Sequence, residues 1–255
     1  MEAKLLSQQS SVCSVIRARQ KVTQKPKSSP VFVAVLTRPS DTMNKLTEVG
    51  NAYKDSWFDR MAINHLSQSL QSVTGFRTNK NGYDSLVEAA AAAAQSFNPK
   101  EQHAVVIGAL DRAFPRPILS LIRTLTPQSK FAREFFAIFT TFFFAWLIGD
   151  CRVKTPEDGK TERNVVHVKK CRFLEETKCI GMCINLCKMP SQRFIKDSLG
   201  MPINMVPNFE DMSCEMIFGE DPPAPDDDPA LKQPCYKMPC KAKQKHRMDC
   251  SSQLN

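Results

Sequence analysis

The chain lacks the short signatures by which most enzymes announce their chemistry. There is no GxSxG, HExxH, GxxxxGK[ST] or GxGxxG, so hydrolase, zincin, phosphate-loop and dinucleotide readings have no support. Ten cysteines are present but no CxxC pair, which removes the familiar bacterial ferredoxin run and the common zinc patterns. The four histidines, His65, His103, His167 and His246, are dispersed. His65 reads as a packed or surface residue, because no partner stands at ligand spacing. No apolar run reaches bilayer length: the longest, FFAIFTTFFFAWLI from Phe135 to Ile148, would extend about 21 Å as a helix against roughly 30 Å of hydrocarbon. The acid pairs Glu175–Glu176 and Glu210–Asp211 read as helix-start and turn residues, not as an acid/base dyad.

Acidic residues are scarce at the start. Residues 1–30 carry Lys4, Arg17, Arg19, Lys21, Lys25 and Lys27 against Glu2 alone, together with six serines and no long apolar run. That composition excludes a secretory core and predicts an organelle transit peptide in place of a plain basic tail. The segment holds more than half of the +9 formal charge, and what is left is too small to argue for nucleic acid. Near the end, the acidic run Glu220–Asp228 sits among Pro222, Pro223, Pro225 and Pro229, followed by the lysines from Lys232 to Lys245. Opposite charge blocks beside prolines predict an extended, solvated tail, with a weak membrane-surface role for the basic block.

What is present is helix pattern and cysteine. At 255 residues the chain can bury a proper core. The stretch DSWFDRMAINHLSQSLQSVTG places Phe58, Ala62, Leu66, Leu70 and Val73 on one face, with Asp55 or Ser56 as cap and Gly75 as stop. A second helix from about Asp84 to Phe97 holds six consecutive alanines, suited to close helix approach. Asn98, Pro99 and Glu101 open a third. Pro117 opens a short helix to about Leu125, and Thr126 with Pro127 the next, which runs into the Phe135–Ile148 stretch. Apolar nearly all round, that helix is either a central core helix or a wall facing something greasy. After Gly149 the texture changes: Cys151–Val153 and Val165–Cys171 predict a hairpin, Phe173–Lys188 a helix, Pro190–Leu199 another, and Met212–Phe218 a strand. The predicted fold is α+β and mostly α-helical: a transit peptide and linker over 1–45, a helical region over 46–150, a small Cys-rich α+β region over 151–240, and a basic tail over 241–255.

Cys179, Cys183 and Cys187 recur every four residues, which on a helix makes a stripe of thiols along one face. A reducing compartment argues against a disulfide framework. Spacing alone leaves an iron or iron–sulfur site, zinc, and buried or redox-active thiols open. Because Cys179 to Cys187 would span about 12 Å of straight helix, two of the three with Cys171 or Cys214 make an easier ligand set.

The run KCRFLEETKCIGMCINLCKMPSQRFIKDSLGMPINMVPNFEDMSCEMIFG, preceded by AWLIGDC and followed by DPALKQPCYKMPC, closely resembles the plant β-carotene isomerase family of strigolactone biosynthesis, the dwarf-27 family. The resemblance covers about Tyr53 to Cys240 and is strongest after Trp146. It implies a plastid, iron-containing enzyme that interconverts all-trans- and 9-cis-β-carotene at the plastid membrane surface, with carotenoid cleavage enzymes downstream. On that footing the expected metal ligands come from Cys171, Cys179, Cys183, Cys187 and Cys214, and the expected substrate path from Phe135, Phe139, Phe142, Phe143 and Trp146. No catalytic residue is singled out. A non-enzymatic iron–sulfur electron carrier would use the same cysteines without an apolar path, and a structural module would hold zinc or pack its thiols.

Overall fold

The computed structural model describes residues 53–156, 161–236, 240, 244 and 245. The expected transit peptide and linker, and all of the expected basic tail except Gln244 and Lys245, lie outside them.

Helix α1 (Trp57–Thr74) begins where the sequence supplies a reciprocal cap. Ser56 Oγ accepts from the Asp59 amide, and the Asp59 carboxylate accepts from the Ser56 amide, which pairs two donors that a helix start otherwise leaves open. Gly75 ends it in the left-handed region at φ 76°. Helix α2 (Gly82–Ser96) buries Ala89, Ala90, Ala93 and Ala94, so it lies close against α1 and the later helices. Helix α3 (Pro99–Ala113) carries the Asn98–Glu101 capping box. Where α1 meets α2, Ser67 Oγ and Ser85 Oγ pair at 2.6 Å, and Gln71 Nε2 donates to Ser67 at 3.0 Å. The buried polar groups there are thus satisfied among themselves.

Helix α4 (Arg116–Leu125) follows Pro115. Helix α5 (Lys130–Phe143) starts at Ser129, whose hydroxyl accepts from the Ala132 amide, not at Thr126–Pro127 as expected. The Thr126 hydroxyl is not free to cap it, since it donates back to the Ile122 carbonyl at 2.7 Å where Thr126 closes α4. The aromatic run is not one helix either. At Phe144 (φ −119°, ψ 4°) α5 gives way to the single turn α6 (Ala145–Ile148). Gly149 then turns at φ 91°, where a Cβ would lie 2.9 Å from the Lys170 carbonyl oxygen.

Strands β1 (Cys151–Val153) and β2 (Val165–Val168) form the expected hairpin, and β4 (Cys214–Phe218) pairs with β2. Strand β3 (Ile203–Pro207) was not foreseen; its INMVP sequence follows Pro202 and ends on Pro207, so that breakers mask a short buried strand. The sheet is antiparallel throughout, in the order β1-β2-β4-β3. Between β2 and β3 come α7 (Arg172–Thr177), α8 (Ile180–Met182), a π-helical turn (Cys183–Lys188) and α9 (Met189–Leu199). Helix α5 lies on β1, β2 and β4, and α2 touches α7 and α8, so the described residues of the helical region and of the Cys-rich region belong to one unit. The fold is a mostly helical α+β arrangement.

Two further expectations need correction. The helix expected over Phe173–Lys188 breaks at Lys178, which takes the left-handed conformation (φ 47°) as the C-cap of α7. The acidic, proline-rich stretch is not wholly a solvated tail: Asp228 is 3 % exposed, Ala230 and Leu231 are buried, and Pro229–Lys232 forms a 3₁₀ turn. Asp228 is drawn in by the buried ammonium of Lys188, 2.8 Å away, because a buried charge needs a partner. A local charge pattern carries no trace of a partner forty residues away.

Candidate functional site

The broken helix decides which thiols meet. The left-handed turn at Lys178 makes Cys179 the N-cap of α8, out of line with the two cysteines after it. Cys183 and Cys187 then fall on the π turn, in which the Met189 amide donates to the Ile184 carbonyl five residues back. Pro190, the second residue of α9, accounts for the widening. It has no amide to donate, and its ring would clash with the carbonyl of Leu186 in a continued α-helix. Residues four apart in so wide a turn stay nearly in line, so both thiols face the same way.

They face Cys171 and Cys214. Cys171 caps α7 and is tied to the loop before β4 by its amide, which donates to the Met212 carbonyl at 2.7 Å. Cys214 opens β4, paired across to Val168 and Pro207. The four sulfurs, with Leu174, Lys188, Met205 and Met216, line one cavity of about 20 Å³, room for about one water-sized group. Four of the five expected ligands are therefore brought together; Cys179 is not among them.

Burial governs the chemistry of these thiols. It pushes Cys187 from 9.0 up to about 12, and it raises Cys183 and Cys214 well above the ordinary thiol value. Cys171 is raised too, against the opposing pull of the Leu174 and Phe173 amides. All four are neutral thiols at pH 7, and each would have to release its proton to bind a metal. In number and kind the four sulfurs match the donor set that iron takes. Among the described residues, however, no three His, Cys, Asp or Glu side chains converge as a ready-made metal site.

A second cavity, of about 460 Å³, adjoins the first, within the range of small-molecule pockets. Its walls come from the end of α3, from α4, α5, α6 and α9 and from the sheet, among them Phe114, Phe135, Phe136, Phe139, Phe144 and Phe218. The few polar side chains are already engaged or small; Thr140 Oγ1 donates to the Phe136 carbonyl at 2.8 Å. Of the expected path residues, Phe135 and Phe139 line this cavity, whereas Phe142 and Phe143 turn outward, 77 % and 47 % exposed. Trp146 is buried elsewhere, its indole donating to the Phe143 carbonyl. The kink at Phe144 takes Trp146 off the line of α5, whereas Phe142 continues the outward stripe of Phe131, Phe135 and Ile138 and Phe143 stacks on Phe139 with ring centroids 4.3 Å apart.

Cys187 belongs to both cavities. Among the described residues it is the only cysteine lining the larger one, and Ile148, Met205 and Met216 complete the wall that the two cavities share. Sequence reasoning missed Phe136, Phe144, Lys188 and Asp228. The first two stand in the phenylalanine run beside residues that were named. Lys188 donates to the Met205 carbonyl at 2.5 Å as well as pairing with Asp228, and nothing in LCKMP distinguishes it from a surface lysine at a helix end.

Residues 146–227, which span the sheet and all four cavity cysteines, match the family model described as β-carotene isomerase D27-like, C-terminal. Over 254 residues the chain is 59 % identical to the chloroplastic β-carotene isomerase D27 of Medicago truncatula, covering 99 % of this chain and 100 % of that protein. The chain belongs to the β-carotene isomerase D27 family. The chloroplastic β-carotene isomerase D27 of Arabidopsis thaliana is 47 % identical over 220 residues, 84 % of this chain and 83 % of its own. The resemblance to the D27 family thus extends across nearly the whole chain, beyond the Tyr53–Cys240 span over which the motifs are legible. No solved structure matches.

Proposed function

We propose that this chain is a carotenoid cis/trans isomerase that interconverts all-trans- and 9-cis-β-carotene, with the polyene lying in the aromatic cavity and one of its double bonds against Cys187. It is an isomerase of the chloroplast, as both relatives are by name. The observation that carries the reading is the shared wall: a hydrocarbon-lined cavity of ligand size meets a cluster of four thiols across Ile148, Cys187, Met205 and Met216, and Cys187 is the thiol in that wall. An electron carrier has no use for such a cavity.

Turning a C=C bond requires its π component to be weakened for the time of rotation, with no net gain or loss of electrons. The aromatic walls hold the polyene by dispersion and exclude water, so that a transient charge or radical on the chain is not quenched. Lys188, fixed by Asp228 and the Met205 carbonyl, keeps the π turn anchored to β3. The thiolate-held iron or iron–sulfur centre is part of the proposal, with Cys171, Cys183, Cys187 and Cys214 as its ligands. When bound, such a centre would supply an electron that the polyene returns. The product enters the strigolactone precursor route ahead of carotenoid cleavage, and the enzyme works peripherally at the plastid membrane, where its substrate dissolves.

The test is the carotenoid isomer profile, by chromatography, of β-carotene-producing bacterial cells expressing the full chain, alongside Cys187→Ala and Cys179→Ala, with iron assayed in each purified protein. The expected result is a rise in 9-cis-β-carotene that Cys187→Ala abolishes, and iron retained in Cys179→Ala but lost or reduced in Cys187→Ala. An unchanged profile from soluble wild-type protein would overturn the substrate assignment; loss of iron in Cys179→Ala alone would overturn the ligand set.

A further inference from the structure

The surface around the mouth of the aromatic cavity is apolar in a way that ordinary packing does not explain. Helix α5 turns Phe131, Phe135, Ile138 and Phe142 outward, each at least 39 % exposed, and α4 does the same with Ile118, Leu121 and Leu125, each at least 55 % exposed. The spacings are i, i+4, i+7, i+11 and i, i+3, i+7, so each helix presents one continuous apolar stripe. Only Leu119 of α4 is buried. Single exposed apolar residues are common, but two adjoining stripes of this size mark a site that something covers.

What covers them is indicated by the cavity and by charge. Ile118 and Phe135 belong both to the exposed stripes and to the cavity lining, so the apolar surface continues inward without a polar rim. The span Arg116–Lys130 contains Arg116, Arg123 and Lys130 and no acid. Arg116 is 84 % exposed and reaches its nearest carboxylate, Asp111, only at 4.0 Å, too loose an exposed pair to hold it from other anions. Apolar stripes with bordering cations and outward aromatics are the features of a helix that lies in a bilayer interface. None of the described helices is long and apolar enough to cross one.

We propose that the α4–α5 face docks on an anionic lipid bilayer, with the Phe131–Phe142 and Ile118–Leu125 stripes sunk among the acyl chains and the cavity mouth opening directly into them. This rests on the carotenoid reading of the cavity and deepens it: a hydrocarbon substrate would pass from lipid to protein without crossing water.

The experiment uses the full chain and the double variant Leu121→Glu/Phe131→Glu, whose side chains are 58 % and 73 % exposed and line no part of the cavity. Co-sedimentation is measured with vesicles of phosphatidylcholine and of phosphatidylcholine mixed equally with phosphatidylglycerol. Solution mass is measured by light scattering, and isomerisation with β-carotene dispersed in detergent. The wild type should bind the mixed vesicles more tightly than the neutral ones. The variant should bind at least about tenfold more weakly, with unchanged circular dichroism and unchanged activity on dispersed substrate. Wild-type protein that ignores both vesicles, or a variant that binds as well as wild type, would overturn the proposal. A wild-type dimer that the variant dissociates would assign the face to a second copy of this chain. Vesicle binding lost in the variant, with no isomerisation by either protein, would leave the docking face standing and remove the carotenoid reading.

Discussion

Replacing Arg172 with methionine should unfold this protein far more easily than replacing any exposed arginine, and the size of the effect follows from its surroundings. Arg172 is 1 % exposed. Its guanidinium meets Asp55 through two bonds, of 2.5 and 2.9 Å, and donates to the Trp146 carbonyl at 3.0 Å. The rings of Tyr53 and Tyr83 lie 4.6 and 3.8 Å from its central carbon. One side chain therefore fastens the lead-in to α1, the first turn of α2 and the α6 turn to α7, next to Cys171. Arg172→Met would leave the Asp55 carboxylate, 20 % exposed, without its partner and remove both cation–π contacts. Breaking a buried pair in this way costs about 3–5 kcal/mol, which for a unit of this size lowers Tm by about 6–20 °C. Arg133→Met is the comparison. Its bidentate partner Glu162 is 30 % exposed and Arg133 itself 26 %, so its loss should cost under about 1 kcal/mol. Thermal unfolding followed by circular dichroism would measure both. The double variant Arg172→Met/Asp55→Leu should lose less than the two single variants together, because the stranded carboxylate is gone. Equal losses from Arg172→Met and Arg133→Met would refute the argument that burial sets the worth of the pair.

Tyr53 and Tyr83 should resist ionisation until the fold opens. Burial and the Glu175 carboxylate raise Tyr53 to about 12, and burial raises Tyr83 well above 10.0. Because each folded value exceeds the unfolded one, the stabilisation is complete below about pH 10 and is lost as pH rises above it. The tyrosinate absorbance of Tyr53 and Tyr83 should therefore appear together with loss of far-ultraviolet circular dichroism, and ionisation of all three tyrosines with a midpoint near 10 in folded protein would contradict this. Gly219→Ala should destabilise more than Gly75→Ala, by about 1–3 against about 1 kcal/mol. Both have positive φ, but an added Cβ at Gly219 would fall 1.9 Å from Arg133 Cδ, whereas at Gly75 nothing lies within 4 Å. Urea unfolding of the pair would check the order.

Local sequence determined most of the helical part of this protein. The Ser56–Asp59 and Asn98–Glu101 boxes, the alanine run and the stops at Gly75 and Pro115 are interactions within a few residues, so their outcome is written in adjacent letters. The resemblance, too, was legible, because cysteine spacing and the PNFEDMSC run are linear patterns. Tertiary structure decided the rest. Whether Trp146 follows Phe135 and Phe139 into the cavity wall depends on the kink at Phe144, where α5 gives way to α6. Whether Cys179 stands with Cys183 and Cys187 depends on the left-handed turn at Lys178. Asp228 reads as one more acid in a charged tail, yet the ammonium of Lys188 pulls it into the interior beside the thiols. Periodicity places residues on one face of an element, but only the meeting of elements far apart in the chain brings Cys171, Cys183, Cys187 and Cys214 to one cavity and sets Cys187 at the wall of another.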